Sequence, residues 1–298
     1  MKLTGVIPAL ITPFDKNNNI DFNTFEKHLT NLRAAGVSGW VPNGSTGEYF
    51  SQNNKERIEV LKFVKEFAND DEILIAGTNA SATREVIENT AMAKEIGYDC
   101  VLLATPFYTR PTDTELINHY NSVLNEVDVE LILYNYPHKD GIEISFDVMD
   151  ALADNPQVIA IKESSGVLQR AIDIYNRYKG RIDLVSGSDD IALDFMVWGA
   201  DSWICGPANC MAKACCDLDR TFRLGNFKKA RDQMAILYKA MNILESGKFV
   251  QKIKYGCDIQ GTPVGVCRAP LGALSDKEKE EFNIALQPIL NWKTFSIN

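Results

Sequence analysis

Short apolar runs recur along the chain at residues 6–11, 39–42, 73–77, 100–104, 131–134, 158–161, 183–186 and 202–205. Runs of four to six residues rich in Val, Ile and Leu, with few polar interruptions, predict buried parallel strands. Between them the apolar residues fall at three-to-four spacing instead, as in Phe22, Phe25, Leu29 and Leu32, or Ile58, Leu61, Val64 and Phe67. That period predicts helices with one apolar face. Strand and helix alternate eight times in about 220 residues, which predicts an α/β fold closed into a (β/α)8 TIM barrel over residues 1–226. The competing open, doubly wound sheet carries a Gly-rich turn after its first strand, whereas here Ile11 is followed by TPFDKNNNIDF. Residues 227–298 hold three further helical stretches, at 228–246, 248–257 and 275–289, and are expected to form a helical extension packed on the barrel. Asp276 and the acidic residues after it suit the start of the last one.

A barrel of this kind carries its chemistry at the carboxyl ends of its strands. The sixth predicted strand lies in QVIAIKESSG, where alternation assigns Val158, Ala160 and Lys162 to one face and Ile159 and Ile161 to the other. Lys162 thus follows directly on a buried strand. Desolvation there favours the neutral amine, which is a nucleophile; in water, or paired with Glu163, the same lysine would be inert. The fifth predicted strand ends LILYNYP, and Tyr134 shares a face with Ile132, so it can point inward beside Lys162 as a proton carrier or as a tyrosine that caps the barrel. The second ends in Asn43-Gly44-Ser45-Thr46-Gly47-Glu48, where hydroxyls and backbone amides between glycines can hold a carboxylate. Alternatively it is a Gly-rich loop capping a helix that starts near Ser51. The fourth ends TPFYTRP, a loop stiffened by Pro106 and Pro111 that presents Tyr108 and Arg110.

Composition narrows the function further. Forty acidic against thirty-one basic residues give a net charge of −9, which speaks against nucleic acid or an anionic membrane as partner. The seven cysteines follow no paired framework and read as reduced thiols of a cytoplasmic protein. The amino terminus, MKLTGVIPALITPF, is broken by Pro8 and Pro13 and reads as a first strand, with no signal peptide or membrane span expected. His28 and His119 fall in predicted helices and His138 in a loop, and Cys210, Cys215 and Cys216 lack the second half of a zinc site, so no metal is expected.

GSTGE at Gly44 to Glu48, TPFY at Thr105 to Tyr108, YNYP at Tyr134 to Pro137, IKESSG at Ile161 to Gly166 and SGSDD at Ser186 to Asp190 together resemble the dihydrodipicolinate synthase and N-acetylneuraminate lyase family. The match runs through the whole barrel in order. The resemblance implies that Lys162 forms a Schiff base with pyruvate or another 2-oxo acid and that Tyr134 moves protons at the adjacent carbons. Ser45 and Thr46, with Gly47, would hold the carboxylate, and the two hydroxyls would take part in a proton relay in which Ser45 is catalytic; Tyr108 would reach that relay in a neighbouring subunit, and Gly187 would lie near the substrate. It implies a homotetramer built from two close dimers and no cofactor.

Within the family the synthases usually carry an arginine five residues after the tyrosine, and this chain has Lys139 in YNYPHKDG. Lysine keeps the charge but not the two-point fork, and Lys139 is expected to contact the second substrate or the distal end of the first. Two activities therefore stand level: 4-hydroxy-tetrahydrodipicolinate (dihydrodipicolinate) synthesis, and dehydration with ammonia release from 1-pyrroline-4-hydroxy-2-carboxylate, whose branch the YNYP, IKESSG and GPANC segments resemble. N-acetylneuraminate or sugar-acid cleavage matches less well, and a non-catalytic regulatory or binding member is the alternative from another class.

Overall fold

The computed structural model describes residues 2–292. Eight strands form in sequence order: β1 Gly5–Pro8, β2 Gly39–Trp40, β3 Ile73–Gly77, β4 Cys100–Ala104, β5 Glu130–Asn135, β6 Val158–Glu163, β7 Asp183–Ser186 and β8 Ser202–Cys205. Every neighbouring pair is parallel, in the order β1-β8-β7-β6-β5-β4-β3-β2. The two ends meet through a bridge between Ala9 and Val41, with Leu10 N–H donating to Val41 O at 2.9 Å and Val41 N–H to Pro8 O at 3.0 Å. The predicted first strand shortens because its chain leaves the ladder after that bridge, and the protein is a TIM barrel.

Alternating residues separate two apolar layers. Ile7, Ile75, Leu102, Ile132, Ala160, Val185 and Ile204 fill the barrel, while Val6, Leu74, Val101, Leu131, Ile161 and Trp203 face the surrounding helices. One expectation fails here. Val158 packs in the outer layer with Ile161, and Ile159 packs against the barrel interior. The cause is an irregularity in the β5–β6 register, where Leu131 pairs with Val158 but Ile132 with Ala160, so the face changes once before Ala160. Downstream of it Ala160 and Lys162 share the inward face as predicted.

The three tail helices run Phe227–Glu245, Phe249–Ile259 and Asp276–Leu290. Ser275 caps the last in a reciprocal capping box with Glu278. Met234, Leu237, Ile253 and Phe282 are buried in the same layer as the outward faces of the strands, so tail and barrel share apolar contacts. Phe249 lies against Gly206 after β8, where a Cβ would fall 2.5 Å from the ring, so a side chain there would displace it. Among the described residues no helix is long and apolar enough to cross a membrane.

Candidate active site

Strand β6 runs two residues beyond its prediction, so Lys162 lies inside the ladder, opposite Tyr134 on β5 and Val185 on β7. Its Nζ stands 4.3 Å from the centroid of the Tyr134 ring, and both residues are buried, at 6% and 5% exposure. Burial strips water from the ammonium and lowers the Lys162 pKa to about 8; the Asp189 carboxylate opposes this and the Lys139 ammonium adds to it. For the Tyr134 phenol, burial acts the other way and holds its pKa well above 10. A largely neutral phenol thus sits against an amine that releases its proton near pH 8, well below the usual lysine range.

The next residue, Glu163, fixes both side chains from behind. It points out of the barrel, is fully buried, and accepts from Arg170 Nε at 2.8 Å, Asn135 Nδ2 at 2.8 Å and Ser165 N–H at 2.7 Å. Asn135 Oδ1 in turn accepts from Ile144 N–H at 2.9 Å. A buried charge pair persists only when its remaining lone pairs are satisfied, and satisfying them here ties the end of β5 to the end of β6. Gly187 follows β7, and a Cβ there would fall 2.1 Å from Ser164 Oγ, 2.8 Å from Glu163 O and 2.9 Å from Lys162 Cγ. The bare backbone is what lets the chain pass beside the lysine stem.

After β2 the chain forms a 3-10 turn at Ser45–Gly47, and the helix expected near Ser51 starts instead at Asn54, capped by Asn53. Gly47 O accepts from Thr12 Oγ1 at 2.8 Å and from Gln52 Nε2 at 2.7 Å. Glu48 closes the turn with φ 57° and is fully buried. Its carboxylate meets Lys254 Nζ of the second tail helix at 2.7 Å and accepts from Arg268 N–H at 2.9 Å. The tail therefore grips the turn that carries Ser45 and Thr46.

A cavity of about 560 Å³ opens at this end of the barrel, bordered by Ser45 and Lys139 together with Tyr49, Phe107, Tyr136, Asp140, Glu245 and Phe249. Lys162 and Tyr134 do not border it directly; Tyr136 does, and its ring is 5.9 Å from that of Tyr134. Thr46 is buried at 7% exposure, next to Ser45. Lys139 is open to solvent yet sunk in the cavity wall, where desolvation lowers its pKa. Tyr108 is not brought to the site of its own chain: it is 91% exposed, with φ 73°. His138 sits in a helical turn, Pro137–Asp140, not in the expected loop, and its Nε2 meets Ser165 O at 3.0 Å. His28 and His119 are packed, with burial lowering each pKa to about 4.

Several groups at this end are absent from the sequence reading. Tyr136 and Asp140 lay inside the quoted YNYPHKDG segment without being assigned a role. Asp189, in SGSDD, is a buried carboxylate that accepts from Trp203 Nε1 at 2.8 Å and whose pKa burial pushes well above the usual range. Glu245 and Phe249 reach the cavity only through the packing of the tail, which no local pattern announces.

The fold is that of a TIM barrel with a candidate active site at the carboxyl ends of its strands, where barrel enzymes carry their chemistry. The sequence model of the Dihydrodipicolinate synthetase family matches residues 2–289, and the chain belongs to that family, a class I lyase. The 4-hydroxy-tetrahydrodipicolinate synthase of Methanothrix thermoacetophila is 32% identical over 286 residues, 95% of each chain. That of Geobacter metallireducens is 33% identical over 277 residues, covering 93% of this chain and 95% of the relative. Among solved structures, a chloride-inhibited dihydrodipicolinate synthase from Acinetobacter baumannii complexed with pyruvate superposes with a TM-score of 0.93, at 31% identity, over 97% of this chain and 99% of its own.

Proposed function

We propose that Lys162 forms a Schiff base with pyruvate or a related 2-oxo acid, and the observation that carries this reading is the buried amine with its pKa near 8 against the Tyr134 ring. The neutral amine adds to the C2 carbonyl to give a carbinolamine. Tyr134 donates a proton to the carbinolamine oxygen, which leaves as water, and an iminium remains. The iminium withdraws electrons from C3, so a proton lost there leaves an enamine that can attack an aldehyde carbon; Tyr134 carries protons at C3. The hydroxyls and backbone amides of Ser45 and Thr46, with Gly47 beside them, hold the substrate carboxylate and present C2 to the amine. Gly187 leaves room beside the lysine stem, Lys139 meets the remote end of the substrate, and Tyr108 completes the proton relay of a second copy in a homotetramer.

The particular reaction we favour is 4-hydroxy-tetrahydrodipicolinate synthesis, because the relatives described above carry that name over almost their whole length. Dehydration and deamination of 1-pyrroline-4-hydroxy-2-carboxylate is the second reading, favoured by Lys139, a point charge where a synthase is expected to use the arginine fork.

Borohydride trapping followed by peptide mapping tests the chemistry. We expect a reduced pyruvate adduct on Lys162 and none in Lys162→Ala, with turnover abolished in that variant. Adducts with a longer 2-oxo acid or the hydroxypyrroline, but not with pyruvate, would favour the second reading. No adduct with any of them, or near-normal turnover in Lys162→Ala, removes the mechanism.

A further inference from the structure

The outer wall of the cavity is built by the junction of the first two tail helices, including Leu244, Glu245, Lys248 and Phe249. Four charged residues border this space, Lys139, Asp140, Glu245 and Lys248; Lys248 is paired with Glu278, whereas Lys139 and Glu245, of opposite sign, do not meet. Lys139 lies 4.8 Å from the Tyr136 ring centroid and 5.4 Å from that of Phe249. Glu245, half-buried at the last residue of Phe227–Glu245, accepts from the Tyr136 hydroxyl at 3.4 Å. Among the described residues neither Lys139 nor Glu245 forms an ion pair within 4.0 Å.

Opposite charges partly withdrawn from water gain by closing on each other. Tyr136 engages both, its ring face with Lys139 and its hydroxyl with Glu245. The result is a wall with a cation and an anion each left with bonding capacity toward the cavity. It suits a ligand that brings a hydrogen-bond donor to one and an anion or acceptor to the other.

We propose that Glu245 is a specificity-determining residue: its carboxylate receives the hydrogen-bond donor, ammonium or hydroxyl, at the end of the substrate remote from Lys162. This rests on the Schiff-base reading, because the adduct at Lys162 fixes which end is remote. The tail thereby takes part in choosing the substrate.

The test uses the full-length enzyme with Glu245→Gln, Glu245→Leu and Tyr136→Phe. Trapping of pyruvate on Lys162 at pH 9, where the amine is largely neutral whether or not the Glu245 charge is present and the remote end is empty, is expected to stay within twofold of the parent in all three. The probes are aspartate semialdehyde with pyruvate, which brings an ammonium, and 1-pyrroline-4-hydroxy-2-carboxylate, which brings a hydroxyl. For the ammonium probe both Glu245 variants are expected to raise KM at least tenfold with a smaller change in kcat. For the hydroxyl probe Gln, still an acceptor, is expected to hold KM within threefold while Leu raises it at least tenfold. Tyr136→Phe, which releases Glu245, is expected to shift KM in the same direction by less.

Parent-like KM in all three variants with normal trapping overturns the assignment and leaves the Schiff-base reading standing. So does loss of folding in both Glu245 variants combined with a parent-like KM in Tyr136→Phe, and so does failure of the parent with both probes; where it accepts one, the KM comparison is made with that one. No adduct on Lys162 in the parent overturns both.

Discussion

Lys162 is buried in the folded protein at a cost to stability, because desolvation disfavours its ammonium. In an unfolded chain a lysine keeps its proton to about 10.5, whereas folded Lys162 releases it near 8. Below pH 8 both states are protonated and the folded state bears the whole burial penalty; above 10.5 neither is, and the penalty is gone. Lys162→Met is therefore expected to be more stable than the parent at pH 6.5, with the advantage shrinking as pH rises from 8 towards 10.5, as read by urea unfolding at several pH values. Adduct formation needs the neutral amine, so its rate is expected to climb about tenfold per unit below pH 8 and level off above it. Lys139 contributes to lowering the Lys162 pKa, so Lys139→Gln is expected to move the midpoint of that profile to higher pH. A midpoint that stays put would mean that the Lys139 charge does not reach Lys162. Lys162 and Tyr134 were legible in the sequence because strand alternation and a single lysine at the end of an apolar run carry over directly into the barrel. Asp189 was not, since an acidic residue after a strand looks the same whether it is solvated or sealed under Trp203.

Elements explain why the reading succeeded in outline and slipped in detail. Strand positions depend on local apolar runs, and all eight were readable. The faces of Val158 and Ile159 were not, because they depend on a register shift against Leu131 and Ile132 that neither strand encodes alone. The helix after the Ser45–Gly47 turn was placed too early because two 3-10 turns occupy the residues before Asn53. What holds that turn is also remote in sequence: Lys254 and Arg268 reach Glu48 across more than 200 residues. Lys254→Met would leave a fully buried carboxylate without its countercharge, and we expect it to cost about 3–5 kcal/mol in urea unfolding. It is also expected to raise KM for the 2-oxo acid, since Ser45 and Thr46 sit on the loosened turn. Adding Glu48→Gln to that variant removes the unpaired charge and is expected to return part of the stability. If Lys254→Met is as stable as the parent and keeps its KM, the tail does not grip the turn.

At the scale of the whole molecule, barrel and tail were both legible as sets of elements, but their joint cavity was not. Glu245 stands 83 positions after Lys162, and only the docking of Phe227–Glu245 and Phe249–Ile259 brings it to the same end of the barrel. Tyr108 presents the opposite case, a residue near the site in sequence order that its own chain turns into solvent at 91% exposure. If its hydroxyl is lent to another copy, catalysis is a collective property and an isolated chain is an incomplete catalyst. Turnover per chain is then expected to fall as the enzyme is diluted, in step with the loss of large particles by light scattering, and a surplus of an inactive Lys162→Ala copy is expected to restore it by donating its own Tyr108.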